Sequence, residues 1–218
     1  MTSITRGALG ETRRKHPVRS ERGFTLVELI VYVSLLLVVL VIVAGLLINS
    51  LKSEQSVRSA AEASSLGQII ARAVQTDARN ATAMQLSSPD SATTGVTDTQ
   101  LLIMSTVKGD SGATSVCSAW FFVPARGGQL FTTESAARIT APSVAGVPTT
   151  PADKPVKAPT GWTSFGEGIN RQGSAPIFAI SAQELTMVFD VTAPGRKAVP
   201  ISGSGTSRQT LTGTSPCF

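Results

Sequence analysis

Arg22-Gly23-Phe24-Thr25-Leu26-Val27-Glu28 opens an apolar run that continues to Ile48 as FTLVELIVYVSLLLVVLVIVAGLLI. About 25 residues at roughly 1.5 Å of rise each exceed the hydrocarbon thickness of a bilayer, so the run is long enough to cross one. Its one acid is Glu28; it holds no base, and Tyr32 adds only a weak phenol. A lone carboxylate near the start of a membrane span costs roughly 3 kcal/mol or more unless something pairs with it. The first turn of a helix is where the backbone dipole best tolerates such a charge.

Two ordinary readings compete for this stretch. A secretory signal has a short apolar region followed by a small-x-small cleavage site, whereas this run is far longer and Val43-Ala44-Gly45 is a weak imitation of such a site. A plain membrane anchor fits the length but leaves Glu28 and the Gly-Phe-Thr junction unexplained.

A basic leader ending in Gly23, then Phe24-Thr25-Leu26-Val27-Glu28, then an unbroken apolar helix, resembles the processing signal of type IV pilins and type II secretion pseudopilins. The resemblance implies that a prepilin peptidase cuts between Gly23 and Phe24 and methylates the new amine, giving N-methylphenylalanine. It also implies that Glu28, fifth in the processed chain, pairs with the Phe24 amine of a neighbouring subunit in a filament. In lipid an N-terminal ammonium is the best partner available to that carboxylate, and the cut creates one.

The formal charge of +5 is local. Residues 1–23 carry Arg6, Arg13, Arg14, Lys15, Arg19 and Arg22 against Glu11 and Glu21, which leaves thirteen basic and twelve acidic residues for the remainder. Basic residues beside an apolar span stay cytoplasmic, so the sequence predicts a single-pass protein with its N-terminus inside and its head outside. A nearly neutral mature chain removes the main electrostatic argument for a DNA-binding surface. His16, the single histidine, lies in the leader, so the mature chain lacks the imidazole that Ser-His-Asp catalysis and most zinc sites require. We expect no catalytic residue, no metal and no cofactor. Cys117 and Cys217 both fall in the outward part. An even pair in an oxidising compartment reads as a disulfide, and two free thiols are the alternative inside a cell.

Taken in order, the chain divides into the leader (1–23, removed), a transmembrane helix (24–48), an amphipathic continuation (49–86) and a β-rich extracytoplasmic head (87–218). Leu66, Ile69, Ile70, Ala73, Val74, Ala81 and Met84 keep the three-and-four spacing of one helical face, which predicts one helix from 24 to about 85. Two helices hinged between Gly45 and Ser50 are the alternative. Ser87-Ser88-Pro89-Asp90 and the Ser/Thr/Gly-rich 91–98 end the helix by composition. Strands are predicted at 101–104, 116–123, 129–132, 177–180 and 185–191, with turns at 108–112 and 124–128. Pro142 to Gly173 reads as a long surface loop, with room for short strands, anchored by Trp162 and Phe165, with a mild positive bias from Lys154, Lys157 and Arg171. The tail 202–216 reads as loose, with Gln209-Thr210-Leu211 as an edge strand and Cys217 pinning it to the 116–123 strand. The fold class is α+β: a long N-terminal helix packed on a small antiparallel β-sheet head, as in pilins.

Gln75-Thr76-Asp77-Ala78-Arg79-Asn80-Ala81 is similar to the Asp-x-Arg-x-Ala stretch of J-type minor pseudopilins and W-type minor pilins, in which a tryptophan-bearing strand and a hairpin return follow. That resemblance implies a minor, tip-type or assembly-initiating subunit. Its implied partners are the prepilin peptidase, other pilin or pseudopilin subunits, an inner-membrane assembly platform, and lipid before assembly. Gly203-Ser204-Gly205 lacks the Gly-Lys-Ser/Thr of a phosphate loop, and Asp90, Asp98 and Asp110 lack calcium-loop spacing. The competing function is a pilus-borne DNA-uptake or adhesion subunit, whose contact would be Pro151–Trp162. An anchored enzyme finds no support in the residues.

Overall fold

The computed structural model describes residues 25–108, 114–144, 156–193, 197–209 and 215–218. The chain divides into two units after Ser50. The first helix, α1 (Leu26–Arg79), begins in the first unit and ends in the second. Helical structure is continuous through Gly45 and Ser50, so no break in the helix marks the segment read as an alternative hinge.

In the first unit the helix is apolar on every side. Leu29, Ile30, Leu36, Val41 and Leu46 are all exposed, as expected of a segment whose medium is lipid or other subunits rather than its own chain. It is long and apolar enough to cross a membrane.

In the second unit α1 changes character. Ala63, Gly67, Ile70, Ala71, Val74 and Ala78 form one buried stripe at three-and-four spacing, while Arg58 and Glu62 form an exposed i, i+4 ion pair at 3.0 Å. The stripe packs on two antiparallel sheets. Five strands, β1 (Ala81–Ser87), β2 (Gln100–Lys108), β3 (Thr114–Val123), β4 (Gln129–Ser135) and β5 (Thr163–Glu167), lie in sequence order in the first sheet. In the second, β8 (Glu184–Val191) is central, with β6 (Ile169–Asn170) and β7 (Phe178–Ser181) on one side and β9 (Val199–Thr206) on the other. A short helix, α2 (Ser91–Thr94), links β1 to β2.

The larger core holds Ile70 and Val74 of α1, Leu102 and Met104 of β2, Trp120 and Phe122 of β3, and Met187 and Phe189 of β8. Strand side chains alternate between faces, so Leu101, Ile103, Phe121, Val123 and Phe131 emerge on the other side of the first sheet. There they form a second core with Ile139, Val144, Val156 and Cys217. With both faces covered, β2 and β3 read as nearly unbroken apolar runs.

The five predicted strands are present, four with longer bounds and the one read at 177–180 shifted to Phe178–Ser181. Three other expectations differ. The helix stops at Arg79 rather than near 85, because Asn80 closes the last turn through N–H bonds to the Thr76 and Asp77 carbonyls, each at 3.2 Å. Beyond it Ala81 and Ala83 are buried while Thr82 is half-buried, a period of two that belongs to a strand. The stretch placed at the end of an amphipathic segment, 81–86, is therefore β1 of the head. Second, 91–98 is not all loop: Asp90 caps α2 by accepting the Thr93 N–H at 2.8 Å. Third, the Gly/Ser-rich tail contains β9. A Cβ on Gly205 would lie 3.1 Å from Ala78 Cβ, and one on Gly67 would lie 2.6 Å from Ile201 Cδ1. Glycine in these places lets strand and helix approach closely. Gln209 lies beyond the strand, and Thr210 and Leu211 fall outside the described residues.

Within 142–173 the structure places β5 and β6, with Trp162 tilted against Phe121 at 5.8 Å and Phe165 edge-on to Trp120 at 4.8 Å between ring centroids. Both aromatics anchor this region, one to each face of the first sheet.

Candidate functional site

The start of α1 is set by its own side chains. Thr25 precedes the first helical residue, and its Oγ1 accepts the Glu28 N–H at 3.3 Å while its carbonyl accepts the Leu29 N–H at 3.2 Å. Thr25 is thus the N-cap and Glu28 the third helical residue, the spacing of a capping box. The Glu28 side chain turns forward: Tyr32 Oη donates to Glu28 Oε1 at 3.3 Å, one turn along the helix. Glu28 is exposed, in the first turn, where the helix dipole suits a negative charge.

Gly23 and Phe24 lie outside the described residues, as do 1–22. The Thr-x-x-Glu spacing at 25–28 is the sequence signal that reveals the cap, and the four-residue step from Glu28 to Tyr32 reveals the contact. Neither was drawn from the sequence, where the apolar character of the run commanded the reading.

The predicted head residues are brought together. Cys117 of β3 and Cys217 form a disulfide with a Cα–Cα distance of 5.4 Å across a separation of 100 residues. Both cysteines are buried in the second core, and the Cys217 carbonyl accepts the Ile139 N–H at 3.0 Å. The bridge therefore holds the end of the described chain, the 136–144 segment and β3 in one place. Asp77, late in α1, accepts hydrogen bonds from Ser118 Oγ at 2.6 Å and Trp120 Nε1 at 2.9 Å. This ties the Asp-x-Arg-x-Ala stretch to the tryptophan-bearing strand.

The positive bias of the 140–175 region is dispersed. Arg171 sits 3.6 Å from the Asp98 carboxylate and over the Phe122 ring, Lys157 is exposed, and Lys154 falls outside the described residues. Of the segment proposed as a ligand contact, Pro151–Trp162, residues 151–155 likewise lie outside them. Among the described residues no three His, Cys, Asp or Glu side chains gather in a group that could hold a metal ion.

Residues 18–44 match the family model of the prokaryotic N-terminal methylation motif. No curated protein and no solved structure matches the chain. The matched span covers Arg19 and Arg22, the Gly23–Phe24 junction, Glu28 and most of the apolar run. The chain carries a prepilin-type N-terminal methylation motif on an α+β fold, a long N-terminal helix with antiparallel sheets, which is consistent with a pilin-like architecture.

Proposed function

We propose that this protein is a minor pilin or pseudopilin, a structural subunit of a type IV pilus or a type II secretion-like filament. One observation carries the proposal: the methylation motif at 18–44 puts Glu28 in the first turn of an apolar helix, four residues after Phe24. The leader stays in the cytoplasm, the 24–48 segment holds the subunit in the membrane, and the head lies outside. A prepilin peptidase cuts between Gly23 and Phe24 and methylates the Phe24 amine. On assembly Glu28 pairs with that amine on a neighbouring subunit, which replaces a costly lone carboxylate by an ion pair. The assembly platform and other pilin subunits are the partners. The Asp77–Trp120 contact supports the J- or W-type reading, and with it a place at the filament tip or in initiation.

Intact-mass analysis of the membrane fraction, with and without co-expressed prepilin peptidase, tests the processing. The expected species starts at N-methyl-Phe24; a full-length chain, or one cut beyond Ala44, would leave a plain anchored or secreted domain. Glu28→Ala tests the pairing, since incorporation into filaments at wild-type levels would rule it out. DNA uptake or adhesion gains no observation: Arg171, one of the three basic residues of the 142–173 region and outside the Pro151–Trp162 contact, is already engaged by Asp98.

A further inference from the structure

The apolar run from Phe24 to Ile48 holds four polar side chains: Thr25, Glu28, Tyr32 and Ser34. Their hydrogen bonds are divided in a particular way. Thr25 Oγ1 accepts from the Glu28 backbone, so it serves the helix end. Ser34 Oγ donates to the Val31 carbonyl at 2.8 Å, so its proton goes to its own helix. Tyr32 Oη donates to the Glu28 carboxyl. Within the run, Tyr32 is the side chain whose proton reaches the one acid.

In a capping box the acid at the third helical position folds back to the N-cap N–H. Here Glu28 reaches forward to Tyr32, and among the described residues the Thr25 hydroxyl caps the helix end. The cap hydrogen bond therefore does not use the carboxyl, which is turned to a side-chain partner. In hydrocarbon an unsatisfied carboxyl is costly, and a phenol one turn away on the same helix reduces that cost without a second subunit. Phenylalanine would suit the lipid equally well; the hydroxyl needs another reason.

We propose that Tyr32 is a positioning residue for Glu28: its hydroxyl holds the Glu28 carboxyl while the subunit waits in the membrane, and releases it to the neighbouring amine at assembly. The inference rests on the pairing role given to Glu28 above. The Tyr32 bond is long for O–H···O, whereas a bond to an ammonium is charge-assisted and shorter. Exchange toward the filament partner is accordingly downhill, and Tyr32 acts as a holder that yields.

The test uses the unprocessed full-length precursor in phospholipid nanodiscs, where residue 24 has a peptide N–H and no free amine. Subtracting the infrared spectrum of Glu28→Gln isolates the Glu28 carboxyl bands. Tyr32→Phe is expected to shift those bands, and Glu28→Gln to shift the Tyr32 C–O stretch. Unmoved bands in both directions would overturn the proposal. A role in packing alone would leave both spectra unchanged, because Phe retains the ring. In cells, Tyr32→Phe is expected to lower the amount of free membrane-inserted subunit in a Glu28 background and to have no effect in a Glu28→Leu background, which leaves the hydroxyl no side-chain acceptor at position 28; equal effects in both would also overturn it. The precursor carries no amine partner, so failure here leaves the filament pairing standing, and failure of Glu28→Ala to impair assembly leaves these spectra interpretable.

Discussion

Asp77 accepts the indole N–H of Trp120 at 2.9 Å, and the same carboxylate oxygen takes the Ser118 hydroxyl at 2.6 Å. Helix and sheet are thereby joined by two hydrogen bonds to a charged acceptor, the stronger kind. Trp120 is 3% exposed and Ser118 is buried, so both donors lose their partner if Asp77 is truncated. Asp77→Ala is expected to destabilise the full chain by about 2–4 kcal/mol, and Asp77→Asn by less. Thermal unfolding in detergent measures both. Combined with Trp120→Phe, Asp77→Ala should cost less than the sum of the two singles.

The close approach of α1 to β9 depends on Gly67. A Cβ there would meet Ile201 at 2.6 Å from Cδ1 and Val191 at 3.3 Å from Cγ2. Gly67→Ala should therefore destabilise by about 1–3 kcal/mol despite alanine's better helix propensity. Ile201→Ala added to it should recover part of the loss, whereas Ile201→Ala alone should cost stability. An additive pair in denaturant titrations would contradict this packing.

Gln129 is buried at the start of β4, and neither atom of its side-chain amide has a hydrogen-bond partner. A buried unpaired amide costs more than an apolar group of similar shape. Gln129→Leu is expected to raise stability by about 1 kcal/mol, read as a higher Tm. A lower Tm would mean that the amide is satisfied in solution.

The turn at Asp90 is expected to depend on pH. Hydrogen bonds donated by Thr93, first from its side chain and then from its backbone N–H, hold the Asp90 carboxyl below its ordinary range. A carboxyl depressed in the folded state stabilises above its unfolded pKa, and that contribution is lost as pH falls through the folded one. Amide exchange at Thr93 should accelerate on acidification through that window, and Asp90→Asn should abolish the dependence.

Removing the bridge should loosen the second core. Its separation of 100 residues corresponds in the chain-entropy account to about 4–5 kcal/mol. Cys117→Ser with Cys217→Ser is expected to lower Tm and to speed amide exchange at Ile139, whose N–H is held by the Cys217 carbonyl.

The sequence made the helix, five of the nine described strands and the cysteine pairing legible, for different reasons. An apolar run at 24–48 has few other physical solutions, and the alternation at Leu185, Met187 and Phe189 is a strand pattern that the burial of those residues reproduces. What escaped it was decided by tertiary contact. Ala81 and Met84, three residues apart, fit a helical face, and it is the pairing of β1 with β2, irregular between Ala81 and Ala83, that makes the segment a strand. Ser202-Gly203-Ser204-Gly205 looks like a flexible tail because its local preference is weak; pairing with Val188, Met187, Thr186 and Leu185 makes it a strand. At the candidate site the motif located Glu28, but the Tyr32 contact and the Thr25 cap are matters of side-chain direction, which spacing permits without dictating.

The Cys117–Cys217 link closes the chain on itself. Strands β4 to β9, and the segments joining them, lie between its two anchors, so most of the head is a covalent ring. A protease cut at one exposed peptide within that ring opens it without freeing a piece. A nicked head should migrate as one species until reduced and as two fragments afterwards. On the proposed placement of the head outside the membrane, the bridge provides tolerance of damage as well as rigidity.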